Sequence, residues 1–552
     1  MFSNRSVDVH KFSMVPRADV PRSRFNIQKS HKTTFDAGYL VPIYLDEMLP
    51  GDTVNLSMTA FARLATPINP IMDNLHMESF FFFVPNRLVM TNWPKLMGEQ
   101  DNPGDSISYT IPQVVSAAGG FPVGSLWDYF GLPTVGQVGG AATVSVSAMF
   151  SRAYNLIWNK WFRDENLQSS VVVDMGAGPD TLSDYVLLRR GKRPDYFTSC
   201  LPFAQKGTAV SLPLGTSAPV WGNGNALGLY QGFNGLGLTT DAAGVMTGGT
   251  TNFNAALGSA TAGAGPVINT SVGVVPGNIS APAGSSGLVA DLSAATAATI
   301  NALRTSFQVQ RLLERDARGG TRYTEKIRAH FNVVNPDFRL QRPEYVGGGS
   351  TPVTISPIAQ TSGTSASGTT TPLGQLGAMG TLVARGHGFS YSATEHGMIV
   401  GLVSVRADLS YQQGLRKMWS RLTQYDFYFP VFAMLGEQAV LNKEIYADGS
   451  ANDALVFGYQ ARWDEYRYNP SQITGLFRST SAGTIDNWHL SQKFTALPTL
   501  NSTFIQDTPP VERVVAVGAA ANGKQFIFDS FFNAVWARPM PMYSVPGLID
   551  HF

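Results

Sequence analysis

Three strings in the chain carry residue types arranged as if for chemistry. GAAANGKQ, Gly518–Gln525, approaches the glycine-rich loop that cradles phosphate, and it follows the strand-like VVAV. Its last position is Gln where a Ser or Thr should reach magnesium. The next residues, FIFDSFF, read as a strand rather than a helix offering its N-terminus to phosphate, so a hairpin turn is expected. RGHGFSYSATEHG brings His387 near Glu395 and His396, but the chain has no H-E-x-x-H and no CxxC, and hydrogen-bonded structural histidines are expected. DGSAND, Asp448–Asp453, lacks the order and distal Glu of a calcium loop and reads as a turn. The single cysteine, Cys200, has no disulfide partner within the chain and is expected to be a small buried hydrophobe. No catalytic residue, metal ligand or cofactor is therefore expected.

Basic residues offer a different chemistry. Met1–Asp36 carries seven Lys/Arg (Arg5, Lys11, Arg17, Arg22, Arg24, Lys29, Lys32) against Asp8, Asp19 and Asp36, a basic arm on a chain of formal net charge +1. LLRRGKRPDYF groups Arg189, Arg190, Lys192 and Arg193. Guanidinium groups beside aromatic rings neutralise phosphate and stack on unpaired bases, which suits sequence-tolerant binding of single strands. Arg17, Arg22, Arg24, Lys29, Lys32, Arg189 and Arg190 are thus the candidates for facing DNA. From Arg304 to Arg342 nine Lys/Arg meet four acids with the signs interleaved, so ion pairing competes with nucleic-acid contact there.

The elements that must position these residues are mostly short strands. YLVPIYLDE, TVNLSMTAFARLA and HMESFFFFVP follow one another between Gly38 and Pro85, separated by turn residues. KIRAHFNVV from Lys326, MIVGLVSVRADL from Met398, FYFPVFAML from Phe427, ERVVAVG from Glu512 and QFIFDSFFNAVWA from Gln525 read the same way. Such wide spacing predicts a β-scaffold with very long insertions. Two helices are expected, 149–168 and 291–318, whose aromatic and apolar stripes should pack beside the sheets. Gly207 to Leu303 contains only two charged residues, Asp241 and Asp291, yet carries Trp221, Tyr230 and Phe233, which predicts an ordered, loop-rich projection. The uncharged tract 346–384 reads as a smaller surface loop.

Of 552 residues 44% are hydrophobic and only 14% charged, against about 25% in a typical soluble domain, which favours a subunit covered by other subunits. No run of about 18 apolar residues occurs, so neither membrane insertion nor a standard signal peptide is predicted.

The strings HKTTFDAGYLVPIYLDEMLPGDT, RLATPINPIMDN, FFFFVPNRL, AYNLIWNKWFRDENLQ, LLRRGKRPDYFTS, RLLERDARGGTRYTE, RPEYVGGGS, FGYQARWDEYRYNPSQITG and RPMPMYSVPGLIDHF resemble, in order, the major capsid proteins of gokushoviruses in the phage family Microviridae. LPFAQKG and YQQGLRKMWSRLTQYDFYFPVFAMLGEQAVLNKEI belong to the same set, and the likeness spans nearly the whole chain. The resemblance implies a mainly β protein: an eight-stranded antiparallel viral jelly roll with very long interstrand insertions and a few helices. It implies a T=1 icosahedral shell of sixty copies around circular single-stranded DNA, made in the bacterial host cytoplasm and located in the virion. It further implies an internal scaffolding protein, a DNA pilot protein, a small basic DNA-packaging protein and a host-cell surface receptor as partners. On this reading 1–36 is a basic arm and 37–206 is the first part of the scaffold, with helix 149–168. Residues 207–290 form a threefold protrusion with Trp221, Tyr230 and Phe233 at its contacts, and 291–552 is the second part, with loop 346–384. Two other readings compete: a carbohydrate-binding β-domain, since jelly rolls also serve as lectins, and a nucleotide hydrolase built on the Gly518 loop.

Overall fold

The computed structural model describes residues 22–208 except 107, residue 210, six short strands between 220 and 290, residues 300–336 except 321 and 335, and residues 341–359, 365–366, 369–370, 376–516 and 523–543. The chain divides into two compact units, Gly207–Leu313 and the remainder.

The larger unit is built on nine strands: β1 (Ser23–Phe35), β2 (Val41–Met48), β3 (Thr53–Leu64), β4 (Leu75–Pro85), β5 (Glu344–Pro352), β6 (Thr354–Ala359), β7 (Leu376–Ser392), β8 (Gly397–Ala407) and β9 (Phe526–Arg538). They form a five-stranded sheet in the order β1-β9-β3-β7-β6 and a four-stranded sheet in the order β5-β4-β8-β2, with every pair antiparallel. Without β6, the eight remaining strands have the two-sheet Greek-key order of a jelly roll. β6 is an additional edge strand, exposed along nearly its whole length.

Sequence period explains the layers. β3 alternates strictly, sending Val54, Leu56, Met58, Ala60, Ala62 and Leu64 inward, and β9 does likewise with Phe526, Phe528, Phe532 and Trp536. These side chains meet Phe81, Phe83, Ile399 and Val403 from the other sheet in one core. β8 differs, being buried at all eleven positions. Its odd-numbered residues enter that core, while Met398, Val400 and Leu402 enter a second one on the opposite side of the four-stranded sheet. The run Phe80–Phe83 divides in the same way, with Phe81 and Phe83 inside the sandwich and Phe82 outside.

The second core is closed by α1 (Met149–Ile157), which continues as a π-helical turn, Trp158–Phe162. Its aromatic stripe is buried with polar tips satisfied: Tyr154 donates to the Leu40 carbonyl (2.9 Å) and Trp158 to the Arg189 carbonyl (2.8 Å). Arg152, fully buried, donates to both oxygens of Asp180, one at 2.7 Å, and to the carbonyls of Val89 and Gly176, each at 2.9 Å. The helix stops short of the expected 168 because the Asp164 carboxylate accepts the amides of Asn166 and Leu167, while Gln168 accepts that of Asp164, which closes a turn.

Four other expectations are corrected. Among its described residues the tract 346–384 is mainly strand, comprising most of β5, all of β6, the start of β7 and a short pair, Ser365–Ala366 with Thr369–Thr370. Its glycines answer close approach rather than looping: a Cβ on Gly348 would stand 2.1 Å from the Ser79 carbonyl, and one on Gly349 would strike the His387 ring at 2.5 Å. KIRAHF belongs to a helix, Tyr323–Phe331, which starts where Glu325 accepts the Arg322 amide and ends at Asn332 in the left-handed conformation. FYFPVFAML holds a 3₁₀ turn, Pro430–Met434, since Pro430 cannot donate to a ladder. ERVV lies at a second such turn, Val511–Arg513.

The smaller unit contains a four-stranded antiparallel sheet, Met246–Thr247, Gly237–Thr240, Gly228–Gln231 and Val274–Gly277, and a separate pair, Val220–Gly222 with Leu288–Ala290. A helix, α2, spans Ile300–Arg318. No helix among the described residues is long and apolar enough to cross a membrane.

The tight β4–β5–β7 junction makes a direct prediction. Gly348→Ala should lower the unfolding free energy by about 1–3 kcal/mol or more, because the obstructing atom is backbone. Gly104→Ala, with nothing near its Cβ, should leave the denaturation midpoint nearly unchanged in the same assay.

Candidate assembly surface

The segment Leu415–Leu435 concentrates exposed apolar side chains as nowhere else among the described residues. Leu422, Val431 and Met434 are 92%, 87% and 93% exposed, and Trp419, Tyr425, Phe427, Tyr428 and Phe429 are exposed beside them. A solitary soluble protein rarely presents so much contiguous apolar surface. Three 3₁₀ turns, Lys417–Ser420, Gln424–Asp426 and Pro430–Met434, carry the segment.

The segment is held in shape. The Arg421 guanidinium lies 4.4 Å from the Tyr466 ring and 5.2 Å from the Phe427 ring, with Glu465 at 3.7 Å. Buried Trp463 donates to the Phe432 carbonyl at 3.0 Å and packs edge-on to Tyr428 at 5.7 Å. The Asp426 carboxylate accepts the amides of Leu422 and Thr423. Lys417 donates to the Ala439 carbonyl at 3.1 Å. Such ordering lowers the entropy lost when the surface is covered, the physical requirement for an interface. A cavity of 540 Å³ adjoins it, with Tyr196, Tyr411, Arg416, Arg421, Tyr466 and Arg478 in its walls.

The residues singled out from sequence are dispersed. Arg189 reaches the carbonyls of Ala37 (3.3 Å) and Asp507 (3.1 Å) and lies 3.9 Å over the Tyr39 ring. Arg190 donates to Glu78 at 2.6 Å, and Arg406 donates to the same carboxylate at 2.7 Å. Against the burial that would raise it, those two cations hold the Glu78 carboxyl below its ordinary range. Arg189 and Arg190 are therefore committed to partners within the chain. Arg22 donates to the carbonyl of Gly51, to the Thr53 hydroxyl at 3.0 Å and to the Ala537 carbonyl at 3.3 Å. Arg24, Lys29 and Lys32 lie on β1, where Lys32 pairs with Asp529 at 3.0 Å and Lys29 lies 5.4 Å from the Tyr44 ring. Arg17 and Phe233 lie outside the described residues, whereas the backbone of Trp221 pairs with Val289 and that of Tyr230 with Val275 and Gly237.

The remaining motifs take structural roles where they are described, while Gly518–Asn522 of GAAANGKQ, with the turn expected there, lies outside the described residues. His387 is buried between Ser79 (2.8 Å) and Thr351 (2.9 Å), tying β4, β5 and β7 together, and burial lowers its pKa. Glu395 pairs with Arg87, and the His396 ring packs edge-on to Trp93. Lys524 pairs with Asp36 at 2.7 Å, and Gln525, which accepts the Ala37 amide at 2.9 Å, leads directly into β9. The Asp453 carboxylate accepts the amides of Asp448 and Gly449, closing the DGSAND turn. Cys200 is buried. Among the described residues, no cluster of His, Cys, Asp or Glu is arranged to hold a metal ion. In the Arg304–Arg342 stretch, Arg318 pairs with Glu437, Arg322 with Glu165 and Glu325, and Lys326 and His330 with Asp316.

The exposed segment itself was not expected from the sequence because FYFPVFAML reads as one more short strand of the scaffold. The available signal was Pro430 in mid-run together with apolar residues that do not alternate.

The chain matches the family described as Capsid protein (F protein) over residues 13–548. It is 47% identical to the capsid protein VP1 of Bdellovibrio phage phiMH2K over 550 residues, covering 98% of both chains. It is 41% identical to capsid protein VP1 of Chlamydia phage 1, again over 98% of both, and 34% identical to that of Spiroplasma virus 4 over 99% of both.

Two predictions follow from the geometry. Leu422→Asp with Met434→Asp, both at exposed positions, should leave the melting temperature of the unassembled subunit within a few degrees of the parent and abolish higher-order species in sedimentation. Asp507 supplies the second. It is buried among Arg190, Lys192, Arg406 and Arg189, and burial outweighs their attraction, raising its carboxyl to about 6. The folded state therefore gains relative stability as pH falls through 6 and loses it as pH rises. Between pH 7 and 5 the parent should gain about 1–2 kcal/mol over Asp507→Asn in denaturant unfolding; parallel pH profiles would refute this.

Proposed function

Since the chain belongs to the Capsid protein (F protein) family, a family of shell subunits rather than enzymes, we propose that sixty copies close into a T=1 icosahedral shell around a circular single-stranded DNA genome. Assembly with copies of itself and a place in the virion come with that membership. The observation that carries the finer reading is the ordered apolar segment Leu415–Leu435, which lies uncovered in the single chain. At about 25 cal/mol per Å², covering it on each subunit supplies a substantial part of the free energy of closure. Closed point-group symmetry lets one such surface serve every copy.

The insertion beginning at Gly207 is assigned to a protrusion at the threefold axes, with Trp221, Tyr230 and Phe233 among its contacts and a host-cell receptor as its outward partner. Its near absence of charge supports this, since three crowded copies then meet without electrostatic repulsion. An internal scaffolding protein, a DNA pilot protein and a small basic packaging protein are the remaining partners. Synthesis takes place in the bacterial cytoplasm, where a lone buried cysteine suits a reducing environment.

Particle imaging tests the reading as a whole. Purified particles should show one subunit per icosahedral site, protrusions on the threefold axes and internal density for DNA. A chain that stays monomeric in the presence of its scaffold, or a shell of another copy number, would sink the sixty-copy proposal.

A further inference from the structure

The five-stranded sheet has a second face, turned away from the core. On β3 the outward residues are Asn55, Ser57, Thr59, Phe61 and Arg63. In register they form rows across four strands. One row reads Lys32, Asp529, Phe61, Val383, and the next Thr34, Ile527, Arg63, Thr381. On the other side Ser30, Phe531 and Thr59 form a third. Phe61 and Phe531, 48% and 44% exposed, are thus diagonal neighbours on adjacent strands, on the order of 7–8 Å apart. Arg24 is exposed on the same face of β1, and Arg385 is exposed in the bulge where β7 shifts register against β3.

This face carries Arg24, Lys32, Arg63 and Arg385 against the single carboxylate of Asp529. Among the described residues Arg24, Arg63 and Arg385 have no carboxylate partner, and the Lys32–Asp529 pair is solvent-exposed and weak. The rest is Ser, Thr and Asn with two exposed aliphatic side chains, Val383 and Ile527, and the two phenyl rings lie among the cations. A surface meant for another protein subunit has few charges at its centre, as at Leu415–Leu435, where the exposed apolar residues adjoin one another. Unpaired nucleic acid asks for the opposite: cations and hydroxyls for the phosphates, and isolated rings on which bases stack whatever their identity.

We infer that the outer face of the β1-β9-β3-β7 sheet is a binding platform for single-stranded DNA, with Phe61 and Phe531 as stacking residues and Arg24, Lys32, Arg63 and Arg385 as phosphate contacts. The inference rests on the genome-enclosing reading above and places that contact on the wall itself, with Arg63, Arg385 and the two phenylalanines added to the basic residues of β1.

The test uses the full-length unassembled subunit and fluorescein-labelled oligo-dT, followed by anisotropy across a range of NaCl concentrations. Phe61→Ser with Phe531→Ser lowers affinity about tenfold or more. Arg63→Gln with Arg385→Gln, which leaves the rings in place, lowers it too and flattens the slope of log affinity against log salt by about 1.4, two contacts at about 0.7 each. Lys493→Gln, exposed on the Phe494 loop, alters neither. Unchanged binding by both double variants with parental melting temperatures overturns the inference, as does a parent subunit that binds no oligonucleotide. Oligonucleotide binding that survives while assembly fails also overturns it, because the face then serves a protein partner. The DNA content of purified parental particles separates the two levels: particles without DNA overturn genome enclosure, whereas genome-filled particles with unaffected variants overturn the platform alone.

Discussion

Eleven consecutive buried positions on β8 place a demand that one sandwich cannot meet. A strand shows alternate side chains to opposite faces, so Gly397–Ala407 needs apolar cover on both sides. The facing sheet supplies one cover through β3 and β9. The other comes from α1, which must be held against the four-stranded sheet for that core to stay closed. The buried Arg152–Asp180 pair ties this helix to the chain segment that runs past it, with the remaining guanidinium donors satisfied by the Val89 and Gly176 carbonyls. A buried charge is tolerable only when it is paired and hydrogen-bonded in this way. The four phenylalanines of β4 follow from the same constraint, because alternate rings are needed in two different cores.

Charge distribution in the larger unit follows from where strands meet. Glu78 on β4, Arg406 on β8 and Arg190 in the intervening chain form one connected network beside Asp507. That network consumes cations that a linear reading assigns to ligand binding. The outer face of the five-stranded sheet keeps exposed cations that lack carboxylate partners among the described residues, while exposed apolar surface gathers at Leu415–Leu435. The two surfaces differ in kind: one interleaves cations with hydroxyls around a pair of phenyl rings, the other joins apolar side chains held by Arg421, Trp463 and Asp426. A subunit that must meet both its own copies and a polyanion benefits from keeping these chemistries apart.

Sequence by itself determined the strands that alternate or run apolar without interruption: β2, β3, β4, β8 and β9 were legible because side-chain period is a local property of the chain. It also settled that GAAANGKQ leads into a strand and that α1 carries an aromatic stripe, since both depend on neighbours within a few residues. Its long shared strings marked the family. Tertiary structure alone decided the rest. The glycines at 347–349 look like a loop until β4 and β7 are seen pressing on them, and Arg189 and Arg190 look available until Asp507 and Glu78 arrive from distant parts of the chain. The same holds for the apolar run at 427–435: hydrophobicity announces that a residue will be covered, but whether its own chain or another copy covers it depends on contacts far apart in sequence, and those exist only once the chain has folded.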